Sequence, residues 1–391
     1  MHNFKEVKIV IGANYGDEGK GLMTRNFALD AKKKGKKPIV IFHNGTAQRG
    51  HTVDYLPDFR HIYHHFGSAT AEKVPTFFAD SFCIHPMEYH REFYELQAKN
   101  ITPPFGFFDP KAKVITPFDM LVDQTTEEWI AKIKGEREFG SCGYGSWCAI
   151  EDRFPLRKTA YTMQDFMHFE QIPFYMEEIL KDCLTILAKR GVKLEQTSFI
   201  DYFFKHKKNI IDNFIYDIRF FCSNNGMLDF YNLYNNTIFN YFIFENGQGL
   251  GLDVNVDNDW HTTSNTGLLN PYNLLKNEKD FNAEVCYVTR TYLTRHGMGP
   301  LEQEVHKKYI NKDITDKTNI FNNFQGGLRF GMNDDFKVMN ERIINDFQIV
   351  ENHSLFVPTL AVTHINEFEN KELINCAKYV SNNPFQVLSK F

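Results

Sequence analysis

The sequence predicts an α/β fold in which a large, mostly parallel, doubly wound sheet carries helices on both faces. Short segments in which nearly every residue is apolar recur along its 391 residues, as expected of parallel strands that are buried on both faces. Longer stretches with apolar residues at helical spacing lie between them, and strands that alternate with helices build sheets of this kind. A glycine-rich turn follows the first apolar segment, as phosphate-binding loops between a strand and a helix do.

The individual elements follow from the same patterns. Strands are predicted at residues 8–11, 38–42, 241–245, 285–292 and 360–365, and helices at 85–98, 163–190 and 199–221. Pro86 suits the first turn of its helix, where no backbone N–H is required. No internal repeat or linker-like stretch divides the chain, so we expect a single domain, 1–391, with a helical insertion around residues 160–235.

The composition is that of an ordinary globular chain, with 42% hydrophobic and 24% charged residues. A net charge of −5 gives no general attraction to nucleic acid or to anionic membranes. No apolar run approaches the roughly 18 residues of a membrane span, and the N-terminus lacks the apolar stretch of a signal peptide, so we expect a cytoplasmic protein. Seven cysteines without a CxxC pair indicate neither a zinc site nor a disulfide framework.

The glycine-rich turn, residues 12–21 with the sequence GANYGDEGKG, is the most informative segment. Its glycines let backbone N–H groups approach phosphate oxygens, and Lys20 adds a positive charge. It is not a Walker A loop, because this chain has asparagine and glycine where that motif requires glycine and a hydroxyl residue. Two carboxylates, Asp17 and Glu18, lie within the turn; beside a phosphate, a carboxylate can bind Mg²⁺ or act as a base.

The turn closely resembles the GDEGKG loop of the adenylosuccinate synthetase family, and three further blocks resemble that family in the same order. The blocks are NGTAQRGHTV (44–53), similar to GGNNAGHTV; FENGQGLGLDVN (244–255) with TTSNTG (262–267), similar to FEGAQGxxLD…TSSNTT; and TRHGMGPLEQE (294–304), similar to TRVGxGPFPTE. Because four motifs occur in order over nearly the whole chain, the protein is identified as a member of this family.

The resemblance implies a purine nucleotide ligase that forms a carbon–nitrogen bond. In the family, a nucleoside triphosphate phosphorylates O6 of a 6-oxopurine nucleoside monophosphate, and the amine of aspartate then displaces phosphate. The implied substrates are IMP or a deoxy or 2-amino analogue, a triphosphate (ATP or GTP) and an amino acid, with Mg²⁺ as the cofactor. A homodimer is implied as well, and neither nucleic acid nor membrane is an expected partner.

The resemblance also assigns roles to residues in the matched loops. Asp17 matches the base that accepts the N1 proton and binds Mg²⁺, Lys20 matches the phosphate lysine, and His51 matches the catalytic histidine near O6. The backbone carbonyl of Gly50 is the second implied metal ligand. Nucleotide and phosphate contacts are implied for Gly16, Glu18, Gly19, Gly21, Gln48, Thr52, Gln248, Thr263 and Asn265. Gln48 stands where the family usually has asparagine and is one methylene longer.

Two further assignments in the middle of the chain have open alternatives. The loop 139–147 lies where the family has the phosphate-binding turn GTTGRGIGP, but only its glycines and Ser141 persist. Arg157 is the candidate for the arginine that reaches the nucleotide of the neighbouring subunit, and a surface role is the alternative.

The donor-base segment departs from the family pattern. The family reads guanine with the aspartate of TKLD, whereas this chain has Thr363 followed by histidine, isoleucine and Asn366. Asparagine cannot present two acceptors to guanine, so guanine preference is expected to be weak and the donor to be ATP or dATP. Ser381 begins a segment, SNNP, that is similar to the family's STGP at the same base.

The aspartate-binding segment departs as well. The family grips the carboxylates of aspartate with a TTGRRR loop, and here the corresponding segment, FQGGLRFG, retains only Arg329. Arginine forks are the natural clamp for a dicarboxylate. Arg329 is therefore either the remaining carboxylate contact, if aspartate is the amine, or a structural residue, and Arg295 is a candidate for a second contact.

Both departures resemble a viral branch, the 2-aminoadenylosuccinate synthetases, which act on dGMP with an adenine nucleotide as donor. That branch often alters the catalytic aspartate, whereas Asp17 is retained here. A family member that uses a different amine and a non-catalytic nucleotide-binding regulator remain as alternatives. A generic P-loop hydrolase is opposed by the missing hydroxyl residue after Lys20.

Overall fold

The computed structural model describes residues 4–55, 59–134, 143–150, 158–257, 260–316, 318, 327–351 and 353–390. Its strands are β1 (Lys5–Gly12), β2 (Pro38–Phe42), β3 (His51–Tyr55), β4 (Phe59–Tyr63), β5 (Thr76–Phe78), β6 (Cys83–Ile84), β7 (Gly106–Phe108), β8 (Lys113–Val114), β9 (Asn225–Met227), β10 (Tyr241–Gly249), β11 (Phe281–Arg290), β12 (Leu293–His296), β13 (Glu304–Val305), β14 (Leu328–Gly331), β15 (Phe356–Thr363), β16 (Tyr379–Asn383) and β17 (Gln386–Ser389). Its α-helices are α1 (Lys20–Lys33), α2 (Pro86–Ala98), α3 (Pro117–Lys134), α4 (Ser146–Ile150), α5 (Met163–Phe166), α6 (Ile172–Lys189), α7 (Ser198–Asn224), α8 (Phe230–Asn235), α9 (Leu269–Leu275), α10 (Lys337–Phe347) and α11 (Lys371–Cys376).

Ten strands form one sheet in the order β17-β16-β15-β11-β1-β10-β2-β5-β7-β9. All neighbouring pairs are parallel except β16 and β17. The predicted α/β class is therefore confirmed. Smaller sheets, among them the hairpin of β3 and β4, lie outside the main sheet.

Alternate residues of the central strands enter two separate cores, because successive side chains of a strand point to opposite faces. Val10 and Val40 pack on one face with residues of α1, α2, α3, α6 and α7. Ile9 and Ile39 pack on the other face with residues of α8, α9, α10 and α11. None of the described helices is both long and apolar enough to span a membrane.

Most differences from the predicted elements have simple causes. The helix predicted at 163–190 is two helices, α5 and α6, and Pro173 marks the first turn of the second, where proline is favoured. Strands β5 and β7 were not predicted, since three residues each are too short to show a pattern. The span 160–235 holds α5, α6, α7 and α8, but it also contains β9, which is the edge strand of the main sheet.

Glu284 of β11 connects four strands of the sheet through its carboxylate. It accepts hydrogen bonds from Lys8 (2.6 Å), Thr359 (3.0 Å), Lys378 (2.8 Å) and Tyr379 (2.9 Å). Burial alone would raise the pKa of Glu284, but the two lysines and the hydrogen bonds outweigh burial and lower it to about 2.

We expect Glu284→Gln to lower the free energy of unfolding by about 2 to 3 kcal/mol at pH 7. The folded-state pKa lies below the ordinary value, so this stabilisation is present above about pH 4.5 and is lost as the pH falls toward 2. Urea unfolding at pH 6 and pH 3 measures the difference between the two proteins, which should shrink at pH 3. Glu341→Gln, which removes an exposed pair with Lys337, is the control with little effect. An equal deficit at both pH values would show that the carboxylate charge is not the cause.

Candidate active site

The carboxyl ends of the central strands open into a cleft of about 1100 Å³, as is usual for ligand sites of open parallel sheets. Of the residues predicted from the sequence, those of the first two loops line the cleft: Gly16, Asp17, Glu18, Gly19, Lys20, Gly21, Gln48, Gly50, His51 and Thr52. Later segments add Gln248, Thr263, Arg295, Thr363, Asn366 and Ser381. Among the described residues, Asn265 and Arg329 do not line it, and Ser141 and Arg157 lie outside the described residues.

The turn after β1 is shaped by a carboxylate that bends back into it. The two carboxylate oxygens of Glu18 accept hydrogen bonds from the N–H groups of Asn14 (2.8 Å) and Gly16 (3.2 Å). Gly19 has a φ of 94° and ends the turn. Helix α1 then begins without a side-chain cap and without an acidic residue in its first turn. Its N-terminal N–H groups and positive dipole end are therefore suited to an anion.

Lys20 and Glu18 form a buried pair of charges beneath this anion site. Burial raises the pKa of Glu18 to about 7, against the opposing effect of Lys20. Burial likewise lowers the pKa of Lys20, against the attraction of Glu18 and Asp17. Each charge thus depends on the other, and a bound phosphate would add a further partner for the lysine.

Asp17 is held by its backbone, which leaves its carboxylate at the cleft. Its φ is 56°, and its carbonyl oxygen accepts a hydrogen bond of 2.5 Å from Nε of Arg290. Arg290, at the end of β11, also donates to the Tyr292 hydroxyl (2.9 Å) and pairs with Asp316 (3.3 Å). The sequence did not suggest this role for Arg290, because a lone arginine at a strand end carries no motif.

His51 lines the cleft and is oriented by Glu245. Nδ1 of His51 lies 2.5 Å from Oε1 of Glu245, and Glu245 also accepts hydrogen bonds from the N–H (3.1 Å) and hydroxyl of Ser68. Nε2 of His51 is buried and has no hydrogen-bond partner among the described residues. Because Nδ1–H donates to the carboxylate, Nε2 is the atom left for a substrate.

The two members of this pair have opposed environments. Burial lowers the pKa of His51, and the charge of Glu245 partly offsets this. Burial would raise the pKa of Glu245, but His51 and Ser68 outweigh it, so its pKa is lowered. Glu245 was not among the predicted site residues, although it lies inside a block that resembles the family. Its acidic side chain in that block was the sequence feature that could have indicated its role.

Several other predicted residues connect the loops around the cleft. Oε1 of Gln48 accepts a hydrogen bond from the hydroxyl of Ser146 at 2.8 Å, and the hydroxyls of Thr52 and Thr318 lie 2.9 Å apart. Gln248 adopts a φ of 63° where it borders the cleft. These contacts join the segment 48–52 to α4 and to residue 318.

The predicted donor-base residues lie together at another end of the cleft. The hydroxyl of Thr363 donates to the carbonyl of Glu18 at 2.9 Å, which ties this end to the phosphate turn. The hydroxyl of Ser381 lies within donating distance of two carbonyl oxygens, those of Asn383 (2.6 Å) and Gln386 (2.7 Å). Asn366 is exposed, and its amide bonds to no other described residue, so it is free for a ligand.

The two arginines predicted for the amino acid are already engaged. Arg295 donates to the carbonyls of Met298 (2.8 Å), Pro300 (2.8 Å) and Trp260 (3.2 Å). Arg329 forms a bidentate pair with Glu304 and also donates to two glycine carbonyls. Their N–H groups therefore stabilise the loop after β12.

The oxygen ligands predicted for Mg²⁺ fit a hard cation. Asp17 offers a carboxylate at the cleft that bonds to no other described side chain, and the exposed Gly50 lines the same cleft. Carboxylate and carbonyl oxygens, completed by phosphate and water, are the ligands that Mg²⁺ prefers. A second group, Asp119, Cys148 and Cys183, lies within 4.8 Å in the core, one ligand short of a structural zinc site.

Comparison with known proteins decides the family. The model of the family described as adenylosuccinate synthetase matches residues 9–341.

The chain belongs to the adenylosuccinate synthetase family.

Relatives named adenylosuccinate synthetase include one from Thermosipho africanus (strain TCF52B), 25% identical over 308 residues, covering 77% of this chain and 67% of the relative. Another, from Tropheryma whipplei (strain Twist), is 26% identical over 317 residues, covering 77% of this chain and 66% of the relative. The chain thus spans about two thirds of the length of the curated adenylosuccinate synthetases that it matches.

Two solved structures share the fold of this adenylosuccinate synthetase family member. The fully ligated adenylosuccinate synthetase from Plasmodium falciparum has a TM-score of 0.64 and 17% identity, covering 92% of this chain and 77% of that one. The cyanophage S-2L succinoaminodeoxyadenylate synthetase, bound to dGMP and to dATP as an energy donor, has a TM-score of 0.56 and 12% identity, covering 99% and 95%. The family and fold predicted from the sequence are confirmed.

The contact between His51 and Glu245 can be tested in the free protein. We expect Glu245→Gln to lower the pKa of His51 further, because removal of the carboxylate charge leaves the effect of burial unopposed. The measurement is an NMR titration of the Cε1–H signal of His51, assigned with His51→Asn. Asp54→Asn, at a carboxylate paired with Arg60, should leave the pKa unchanged. An unaltered His51 pKa in Glu245→Gln would mean that the two side chains are apart in solution.

Proposed function

We propose that this chain is a purine nucleotide ligase that joins the amine of an amino acid, aspartate first among the candidates, to C6 of a 6-oxopurine nucleoside monophosphate. The observation that carries the proposal is the convergence of Asp17, Lys20 and His51 on one cleft, with His51 backed by Glu245. The triphosphate supplies the phosphoryl group, and the product is of the adenylosuccinate type.

The first step activates O6, because oxygen is a poor leaving group. Asp17 accepts the N1 proton, which concentrates negative charge on O6. O6 attacks the terminal phosphorus of the triphosphate, the bond from that phosphorus to the bridging oxygen breaks, and the nucleoside diphosphate leaves. Lys20 and the N-terminus of α1 stabilise the charge on the phosphoryl oxygens.

His51 supports both steps through Nε2. Glu245 stabilises an imidazolium, and the arrival of an anionic phosphate opposes the effect of burial on the pKa of His51. A proton on Nε2 can then be donated to the oxygen at C6 as phosphate leaves and the amine takes its place. Asp17 and Gly50 would hold Mg²⁺, which supplies positive charge to the phosphate oxygens.

For the donor, we propose an adenine nucleotide. Asn366 borders the cleft with a free amide, and an amide pairs a donor and an acceptor as the edge of adenine requires. The cyanophage enzyme, whose structure holds dGMP and dATP, supports a second candidate, ligation to dGMP. The retained Asp17 and the family relatives favour IMP or dIMP. We further propose that the chain acts as a homodimer in the cytoplasm, on the strength of the family resemblance.

A matrix of substrates tests the reaction. Mass spectrometry of products from IMP, dIMP, GMP and dGMP, each with ATP or GTP and a panel of amino acids, should reveal one amino-acid adduct with loss of water from the two substrates. If no combination yields an adduct while the nucleotides bind, the chain is a nucleotide-binding regulator and the ligase proposal fails.

We expect Asp17→Ala and His51→Ala each to lower kcat by about a hundredfold or more, the typical contribution of general acid–base catalysis. The first change removes the base that accepts the N1 proton, and the second removes the proton donor at the oxygen on C6. His353→Ala, at an exposed histidine that does not border the cleft, is the control with near-normal kcat. Folding is checked by circular dichroism, and near-normal turnover in either variant would refute the assigned roles.

We expect kcat/KM for GTP not to exceed that for ATP, and Asn366→Asp to shift the ratio toward GTP by about tenfold or more. The physical reason is that a carboxylate accepts hydrogen bonds from both N1–H and the 2-amino group of guanine, and such charged bonds contribute about 1.5 to 3 kcal/mol. Initial rates measured in parallel with ATP and with GTP give the ratio of the two kcat/KM values. An unshifted ratio would show that Asn366 does not contact the base.

A further inference from the structure

Arg49, two residues before His51, is a buried cation at the wall of the cleft. Its side chain is 3% exposed, and its guanidinium stacks over the ring of Phe42 at 4.2 Å. It donates to the carbonyl of Glu245 (2.8 Å) and to the backbone and side-chain oxygens of Asn44. All these acceptors are neutral, and Nε has no hydrogen-bond partner among the described residues.

This arrangement leaves Arg49 without an ion-paired carboxylate, although the charge of Glu245 opposes the effect of burial, which lowers the pKa of Arg49 to about 10. In the described part of the chain, no carboxylate forms an ion pair with Arg49. A buried cation without an ion pair is unfavourable, and arginine keeps its proton at neutral pH. An anion that binds in the same cleft would add a direct ion pair.

Gly247 leaves space beside one edge of this buried guanidinium. A Cβ at position 247 would lie 3.3 Å from Nη2 and 3.4 Å from Nε of Arg49, and Gly247 itself lines the cleft. When the matched blocks are lined up, the family motifs GGNNAGHTV and FEGAQG have alanine at positions 49 and 247 alike. This chain has arginine in place of the first alanine and glycine in place of the second, so the two changes fit together sterically.

We propose that Arg49, which has the small residue Gly247 beside its unpartnered Nε, is a phosphate-binding residue of the cleft that the family motif does not contain. The inference rests on the proposed function for the identity of its ligands, and it adds a residue that sets affinity for their phosphate. The phosphate is either the 5′-phosphate of the nucleoside monophosphate or the terminal phosphate of the triphosphate. Arg49 opposes the charge of Lys20, so both cations act on the same region.

The test measures binding without turnover. Isothermal titration calorimetry compares IMP with inosine, GMP with guanosine, and a non-hydrolysable ATP analogue with adenosine. Arg49→Met keeps the apolar stem over Phe42 and removes the charge, Arg49→Lys keeps the charge, and Arg60→Met removes a cleft arginine that already pairs with Asp54 at 3.1 Å.

We expect Arg49→Met to weaken one phosphate-bearing ligand at least tenfold and its nucleoside less than twofold, and the ligand that weakens identifies the phosphate. Arg49→Lys should stay within about threefold, and Arg60→Met should match the unaltered protein. Gly247→Ala should weaken the same ligand but have no added effect in the Arg49→Met background.

Equal losses for nucleoside and nucleotide, or a lysine variant as weak as the methionine variant, would overturn the inference and leave Arg49 a structural residue. If Arg49→Met does not fold, Gly247→Ala decides alone: unchanged nucleotide affinity would then refute the proposal. A phosphate-selective loss in a chain that forms no adduct would sustain this inference while the ligase proposal fails.

Discussion

The close approach of the turn after β1 to the end of β10 is the constraint on which the site depends. The two strands pair in parallel, and Gly12 lies opposite Gly249. A Cβ on Gly249 would lie 2.5 Å from the carbonyl oxygen of Asn14, and one on Gly12 would lie 2.4 Å from a carboxylate oxygen of Glu18. Because both positions lack a side chain, the phosphate turn can lie against the segment that carries Glu245 and Gln248. Lys20 and the Glu245–His51 pair are thereby brought to one cleft.

Around this junction the chain buries several charges that stabilise one another. Glu18 folds back into its own turn and interacts with the charge of Lys20, while Glu245 accepts a hydrogen bond from Nδ1 of His51. Burial lowers the pKa of both cationic groups, Lys20 and His51, so each gains from an added negative charge. A phosphate group that enters the cleft meets groups whose protonated forms it stabilises. In the free protein, an added negative charge would stabilise the protonated forms of these two groups, as expected of a site that binds phosphoryl groups.

The sequence predicted the fold class, the central strands and the members of the phosphate turn because each has a local signal. Segments such as 38–42 are apolar throughout, and β2 has these bounds. Glu245 and Arg290 could not be found in the same way, since their roles arise from contacts to residues 194 and 273 positions away in the chain. Conversely, Asn265 and Arg329 belong to matched or aligned segments, but Asn265 bonds to Asn255 and Arg329 to Glu304. A motif fixes residue types, whereas the direction of a side chain depends on neighbours from other segments.

Two departures from the family pattern concern the base of the donor and the amine rather than the residues proposed for phosphoryl transfer. Asp17, Lys20 and His51 are retained, whereas Asn366 replaces the base-reading aspartate and a single arginine of the clamp remains. That arginine, Arg329, already holds a carboxylate of its own chain, and a bidentate pair of this kind must be broken before a substrate carboxylate can take its place. Activation of O6 requires no amine, so the first step can be preserved while recognition of the amine changes. The physical consequence is that the proposed activation of O6 rests on buried, mutually dependent charges, whereas recognition of the amine rests on arginines that already bond within their own chain.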